Sequence, residues 1–186
     1  MTREEKRRWE ATGERGSYSP GEGPASVVRD SLSDLPDGRA LDVATGYGRN
    51  AIFLAEHGWT VDAVDISRAM LDPARDRAAD RSVQVNWILA DVDSYCFPVA
   101  AYDVVTISYF DARDRLDAIQ DALAPGGVLC YEHHLVTEDA EGDGPGARFR
   151  FEPGELREAC SALTVDHYAE DLEDRTVRLV GRTPRG

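Results

Sequence analysis

Three aspartates stand within or at the end of three short apolar runs. Asp42 lies within Leu41-Asp42-Val43, Asp65 ends Val61-Asp62-Ala63-Val64, and Asp91 follows Trp87-Ile88-Leu89-Ala90. Between the first two stands Thr45-Gly46-Tyr47-Gly48-Arg49-Asn50-Ala51. Glycines one residue apart allow a turn with positive φ and let a ligand lie against bare backbone. The first turn of a helix that follows offers unpaired N–H groups to a carboxylate or phosphate. An acid about twenty residues beyond such glycines can accept both hydroxyls of a ribose, and Asp65 stands at that distance. The chemistry these residues could do is nucleoside recognition. Gly46-x-Gly48-x-x-Ala51 also satisfies the dinucleotide fingerprint, so the glycines alone leave an NAD-binding site open, as well as a tight turn that holds no ligand.

Such a turn works only between a strand and a helix. Leu41 and Val43 suit a short buried strand; Ala51, Ile52, Leu54 and Ala55 recur at helical spacing; Trp59, Val61, Ala63 and Val64 resume a strand up to Asp65. Ser67 can cap a next helix through Met70, Ala74 and Ala78, in which Pro73 predicts a kink or a restart. Val83, Val85, Trp87 and Leu89 alternate as a third strand, and Tyr102 to Ile107 is near-continuously apolar, as in a parallel sheet covered on both faces. Leu116, Ile119, Ala122 and Leu123 predict a helix closed by Pro125-Gly126-Gly127, with Val128 to Glu132 as the fifth strand. Glu155 to Leu163 reads as a helix, and Leu163 to Tyr168 and Arg175 to Thr183 as two strands joined by Asp171 to Asp174. The expected architecture is α/β: a mostly parallel seven-stranded sheet ending in an antiparallel hairpin, helices on both faces, one domain over residues 1–186.

Ahead of this unit, Thr2-Arg3-Glu4-Glu5 has capping-box form and predicts a charged helix to about Glu10. Tyr18 to Pro24 is a loop whose last proline suits the first position of a helix carrying Val28, Leu32 and Leu35. Residues 1–23 form an arm with two readings. Either Trp9 packs it on the body, or the arm, with Arg15 and Tyr18, closes over the site as a lid. The polar segment Thr137 to Ala147 is a flap or a surface loop.

Composition bounds the function classes. With 35 acidic against 21 basic residues the chain carries a formal charge of −14, and Lys6 is its only lysine. Such a surface repels nucleic acid phosphate. It resembles proteins of salt-rich cytoplasm, where counterions screen self-repulsion. The melting temperature is therefore expected to climb strongly in molar KCl, and a flat response in a thermal scan contradicts that origin. No apolar run approaches a membrane span, and Met1 to Trp9 lacks an apolar leader core, so a cytoplasmic protein is expected, monomeric or homodimeric. Cys96, Cys130 and Cys160 are odd in number and widely spaced, which argues for reduced thiols rather than a disulfide framework or zinc site.

Charge then separates the cofactors. An NAD pyrophosphate is an anion, whereas S-adenosyl-L-methionine carries a sulfonium and an ammonium against one carboxylate. Asp42, Asp65 and Asp91 at adjacent strand ends suit the second: Asp65 for the ribose, Asp91 with Val92 for the adenine, Asp42 for the potential near the ammonium. Leu41 to Asn50, Val61 to Ser67, Ala90-Asp91-Val92, Tyr102 to Val105 and Leu123 to Leu129 together resemble, in order and spacing, the motifs of class I S-adenosylmethionine-dependent methyltransferases. Gly48 to Ala55 and Phe149-Arg150-Phe151-Glu152-Pro153-Gly154-Glu155-Leu156 look most like the tellurite-resistance (TehB-type) group.

The resemblance implies the Rossmann-like methyltransferase fold and transfer of a methyl group to a small-molecule acceptor by in-line displacement. It places the cofactor on Asp42, Ala44, Thr45, Gly46, Gly48, Asn50, Asp65, Ile66, Met70, Asp91, Val92 and Ser108, with Trp9 and Tyr18 from the arm. Ala44 stands where the family's first motif glycine is usual, and its methyl is expected to narrow the room for the methionine tail. A base is needed only when the nucleophile carries a proton. The candidates are His133, His134 and Tyr109; as sequence neighbours on a strand, the two histidines face opposite sides, so one alone can face the crevice. A nicotinamide oxidoreductase and a non-catalytic cofactor-binding protein are the alternatives.

Overall fold

The computed structural model describes residues 3–15, 21, 23–137 and 149–185. Tyr18 and nearly all of the 137–147 segment lie outside them. Along the chain the elements are α1 (Arg3–Arg15), α2 (Ser26–Ser31), β1 (Arg39–Val43), α3 (Arg49–Glu56), β2 (Thr60–Asp65), α4 (Arg68–Asp80) and β3 (Asn86–Leu89). Then follow β4 (Tyr102–Ser108), α5 (Leu116–Asp121), β5 (Leu123–His134), α6 (Glu155–Ala159), β6 (Thr164–Asp171) and β7 (Thr176–Arg182). They form one seven-stranded sheet in the order β3-β2-β1-β4-β5-β7-β6. The first five strands in that order run parallel, and β7 is antiparallel to both β5 and β6.

The near-continuous apolar runs are explained by burial on both faces. Leu41, Val43, Val105, Ile107, Leu129 and Tyr131 face one core, which α5 and α6 cover with Leu116, Ile119 and Leu156. Ala40, Val104, Val128 and Cys130 face the other, which α2 and α3 cover with Val27, Val28, Ala51 and Leu54. Each large side chain buried this way contributes about 1.5–3 kcal/mol. The strand order reverses between β1 and β4, and in an open parallel sheet the crevice beyond the strand carboxyl ends at such a reversal is where ligands bind.

Besides a β3 that starts at Asn86 rather than Val83 and an α6 that stops at Ala159 rather than Leu163, three features differ from the sequence reading. Pro73 does not restart α4, which runs through it as one helix. The proline forfeits one hydrogen bond, to the Ala69 carbonyl, while burial of Met70, Leu71, Ala74 and Ala78 holds the helix from outside. Pro125-Gly126-Gly127 does not close a helix but sits inside β5, where Tyr102 pairs with Leu123 and the register shifts before Val104. A Cβ on Gly127 would come 2.8 Å from the Ala124 carbonyl oxygen, so only glycine lets the bulge pass. The first helix extends to Arg15 rather than Glu10, because Gly13 lets α1 lie close on α4; a Cβ there would meet that of Ala69 at 2.9 Å. No helix among the described residues is long and apolar enough to cross a membrane.

Candidate active site

The turn between β1 and α3 takes positive φ at Ala44 (+53°), Gly46 (+57°) and Gly48 (+76°). Hydrogen bonds from Thr45 N–H to the Val64 carbonyl (3.0 Å) and from Gly48 N–H to the Thr45 carbonyl (2.9 Å) hold it. The left-handed conformation of Ala44 gives a physical reason for glycine at that place, since a Cβ costs about 1–2 kcal/mol there. Ala44→Gly relieves this at the cost of a freer unfolded chain. The expected net effect is a rise in melting temperature of about 2–4 °C, from about 1 kcal/mol, measured by thermal unfolding.

Gly48 lines neither cavity described below. A Cβ on it would stand 2.5 Å from the Trp87 ring and 3.2 Å from the Ala74 Cβ, so close packing of α3 on α4 and β3 demands the glycine. Gly48→Ala is expected to destabilise the fold by about 2–4 kcal/mol, combining the positive φ with overpacking, and thermal or urea unfolding will read it.

Two cavities adjoin at this turn. The larger is lined by Trp9, Ala44, Gly46, Asp65, Ile66, Met70, Val92 and Ser108, with Tyr109 and Phe110 completing its wall. The smaller shares Ala44, Gly46 and Ser108 and adds Asp42, Thr45, Tyr47, Arg49 and Asn50. The structure thus brings together most of the residues expected to hold a cofactor.

Asp65, at the end of β2, is 6% exposed in the floor of the larger cavity. Gly46 N–H donates to its Oδ2 (2.8 Å) and Ser67 N–H to its Oδ1 (2.9 Å). Burial raises its pKa above the usual carboxylate value, and these two N–H groups oppose that. Each oxygen keeps a lone pair for a further donor.

Asp42 is turned inward. It accepts the hydroxyls of Thr45 and of Thr106 (2.6 Å) and the Asn50 amide (3.4 Å), and burial again raises its pKa. Asn50 reaches from there to the Ser108 hydroxyl (3.0 Å), while its Oδ1 takes the Ala25 N–H (2.8 Å). Asp42 therefore braces β1, β4 and α3 as well as lining the smaller cavity. Asp91 lines neither cavity: its Oδ1 accepts the Asp93 N–H (3.0 Å) and its carbonyl the Ser94 N–H, which makes it a turn residue. Val92 beside it is the one of the pair in the wall.

The α1 helix closes over the larger cavity. Trp9 stands in the wall, and the Ser67 hydroxyl donates to Glu10 Oε2 (2.7 Å) while capping Met70 N–H at the start of α4.

On the side of β4 and β5, Tyr109 takes φ +55° and lies in the cavity wall. Its hydroxyl donates to Glu132 Oε1 (2.8 Å), the Arg49 guanidinium lies 5.6 Å from its ring centre, and the His134 ring lies 4.7 Å away. Burial, then the Glu132 carboxylate, push the Tyr109 pKa upward, so the phenol keeps its proton. Burial lowers the pKa of His134, leaving the imidazole neutral at pH 7. His133 faces the other layer: it is 2% exposed, its Nδ1 accepts the His134 N–H (2.7 Å), and its ring meets Phe151 (5.3 Å) and Tyr131. Neither histidine lines a cavity, and of the two it is His134 that lies beside the site, against the wall residue Tyr109.

Sequence reasoning missed Glu132, Phe110 and the Glu10–Ser67 contact. A charged side chain closing an otherwise apolar strand was the available signal for Glu132.

Residues 40–127 match the family described as Methyltransferase domain. The match runs from β1 to the glycine pair inside β5, just under half of the chain. The demethylmenaquinone methyltransferase of Thermus thermophilus is 38% identical over 98 residues, 49% of this chain and 44% of that one. The malonyl-[acyl-carrier protein] O-methyltransferase of Salmonella typhimurium is 32% identical over 111 residues, 55% of this chain and 43% of that one. The chain thus spans less than half the length of these curated relatives. Among solved structures, TehB from Haemophilus influenzae matches with a TM-score of 0.76 over 94% of this chain and 67% of that one. At 16% identity this is a likeness of fold.

Proposed function

We propose that the methyltransferase domain binds S-adenosyl-L-methionine across the two cavities and methylates a small-molecule acceptor. The observation that carries this is Asp65, a buried carboxylate fixed by Gly46 and Ser67 N–H groups with lone pairs left over for a vicinal diol. The rest of the lining fits. Ile66, Met70, Val92 and Phe110 offer apolar wall to a base, and the smaller cavity sets Asp42, Thr45, Asn50 and Arg49 where a zwitterionic amino acid end finds both signs of partner. When bound, this cofactor supplies an electrophilic methyl on a sulfonium, and most of the acceleration comes from holding the two reactants in line.

The chain's own residues then divide the remaining work. Tyr109, its proton committed to Glu132, does not serve as base; it forms wall and offers an oxygen lone pair. His134, neutral and tilted against the Tyr109 ring, is the group that can take a proton from an acceptor bearing one. The α1 arm, with Trp9 in the wall and Glu10 on Ser67, acts as a lid that excludes water.

The test is a screen of small thiols, amines, hydroxyls and oxyanions, read as S-adenosylhomocysteine released. Turnover with at least one class is expected. Cofactor binding without release from any class would reassign the protein to a non-catalytic binding role.

A further inference from the structure

Glu132 is 3% exposed at the end of β5. Its Oε1 accepts the Tyr109 hydroxyl (2.8 Å), and its Oε2 accepts the Ser26 hydroxyl (2.6 Å), the Val27 N–H (3.3 Å) and Arg178 Nε (3.3 Å). Its own carbonyl accepts the Tyr109 N–H (2.9 Å). One residue therefore grips Tyr109 at both its backbone and its hydroxyl, in a left-handed conformation that costs a side-chain-bearing residue about 1–2 kcal/mol and persists only where its surroundings enforce it. The same carboxylate pins Ser26 and Val27 at the start of α2. Trp9 of α1 and Tyr109 both line the larger cavity.

We propose that Glu132 is a positioning residue for the cofactor cavity, fixing the Tyr109 wall directly and tying it to the start of α2 through Ser26 and Val27. Burial alone would favour the protonated acid, yet the donors from Ser26, Tyr109 and Val27 hold the group below the usual carboxylate range. It stays charged, and the charge keeps each donor aimed at it. The proposal rests on reading the cavity as the adenosyl site.

The test is calorimetry with S-adenosylhomocysteine on the wild type, Glu132→Gln, Tyr109→Phe and Ser26→Ala, with the doubles. Glu132→Gln and Tyr109→Phe are each expected to weaken binding about tenfold, and together also about tenfold rather than a hundredfold, as partners in one network do. Ser26→Ala and Tyr109→Phe, joined through Glu132, are expected to be non-additive as well, which decides the matter if Glu132→Gln does not fold. Multiplying effects overturn the proposal. An alkaline phenolate titration needs no ligand: the tyrosine missing from Tyr109→Phe is expected to titrate above the ordinary range and to fall in Glu132→Gln. If the wild type fails to bind S-adenosylhomocysteine, the functional reading fails and this titration alone judges the positioning role; an unmoved titration overturns it.

Discussion

Asp65→Asn is expected to weaken S-adenosylhomocysteine binding by at least about a hundredfold while leaving the fold intact. Hydrogen bonds from hydroxyls to an ionised carboxylate are worth about 1.5–3 kcal/mol each, so two of them set that scale. The asparagine cannot replace the carboxylate, because its amide nitrogen would face Gly46 N–H or Ser67 N–H, donor against donor. Stability follows a different sign. Burial raises the Asp65 pKa, so the ionised group counts against the folded state above the unfolded value, and that contribution vanishes in the variant. The unpaired N–H that the asparagine leaves offsets this gain, so lost affinity with a melting temperature close to the wild type's is the combined result expected from calorimetry and thermal unfolding. Equal affinity would remove Asp65 from the site.

The second large effect concerns acid. His133 is enclosed among Tyr131, Phe151 and His134, and burial lowers its pKa from 6.5 to about 4. The unfolded chain therefore binds a proton that the folded one refuses. The stability this withholds is present above pH 6.5 and is lost as pH falls towards 4, about 3 kcal/mol in all, from 1.36 kcal/mol per pH unit. Below pH 4.5 Glu132 and Glu155, both held under the usual carboxylate range, lose their contributions too, while Asp42 and Asp65, both raised, change in the opposite sense above pH 3.8, in wild type and variant alike. Urea unfolding across pH 4 to 7 on the wild type and His133→Phe isolates the histidine. The variant is expected to be flatter over this range, and parallel curves would mean that His133 is protonated in the folded protein.

The two effects show what could be read from residue order. The β1-turn-β2 unit was legible because its signals are local: period-two apolar strands, glycines at the turn, an acid at a fixed distance. Alternation also dictated that His133 and His134 part company. Which of them meets the site depended on the packing of Phe151 and Phe151's bridge partner Leu135, contacts that periodicity does not carry. Gly48 was read as ligand-facing although Trp87, 39 positions later in the chain, is what requires it. Three acids at strand ends looked equivalent, yet one is a cavity floor, one a buried brace and one a turn residue, because their partners Gly46, Thr106 and Asp93 sit at unrelated distances along the chain. Glu132 was hidden for the same reason, since its Ser26 partner lies 106 residues earlier.

The most direct measurement is parallel calorimetry of the wild type with S-adenosylmethionine, S-adenosylhomocysteine and NAD. The buried Asp65 floor and the mixed-charge smaller cavity predict one-to-one binding of the first two and none of NAD. Binding of NAD alone would contradict the account.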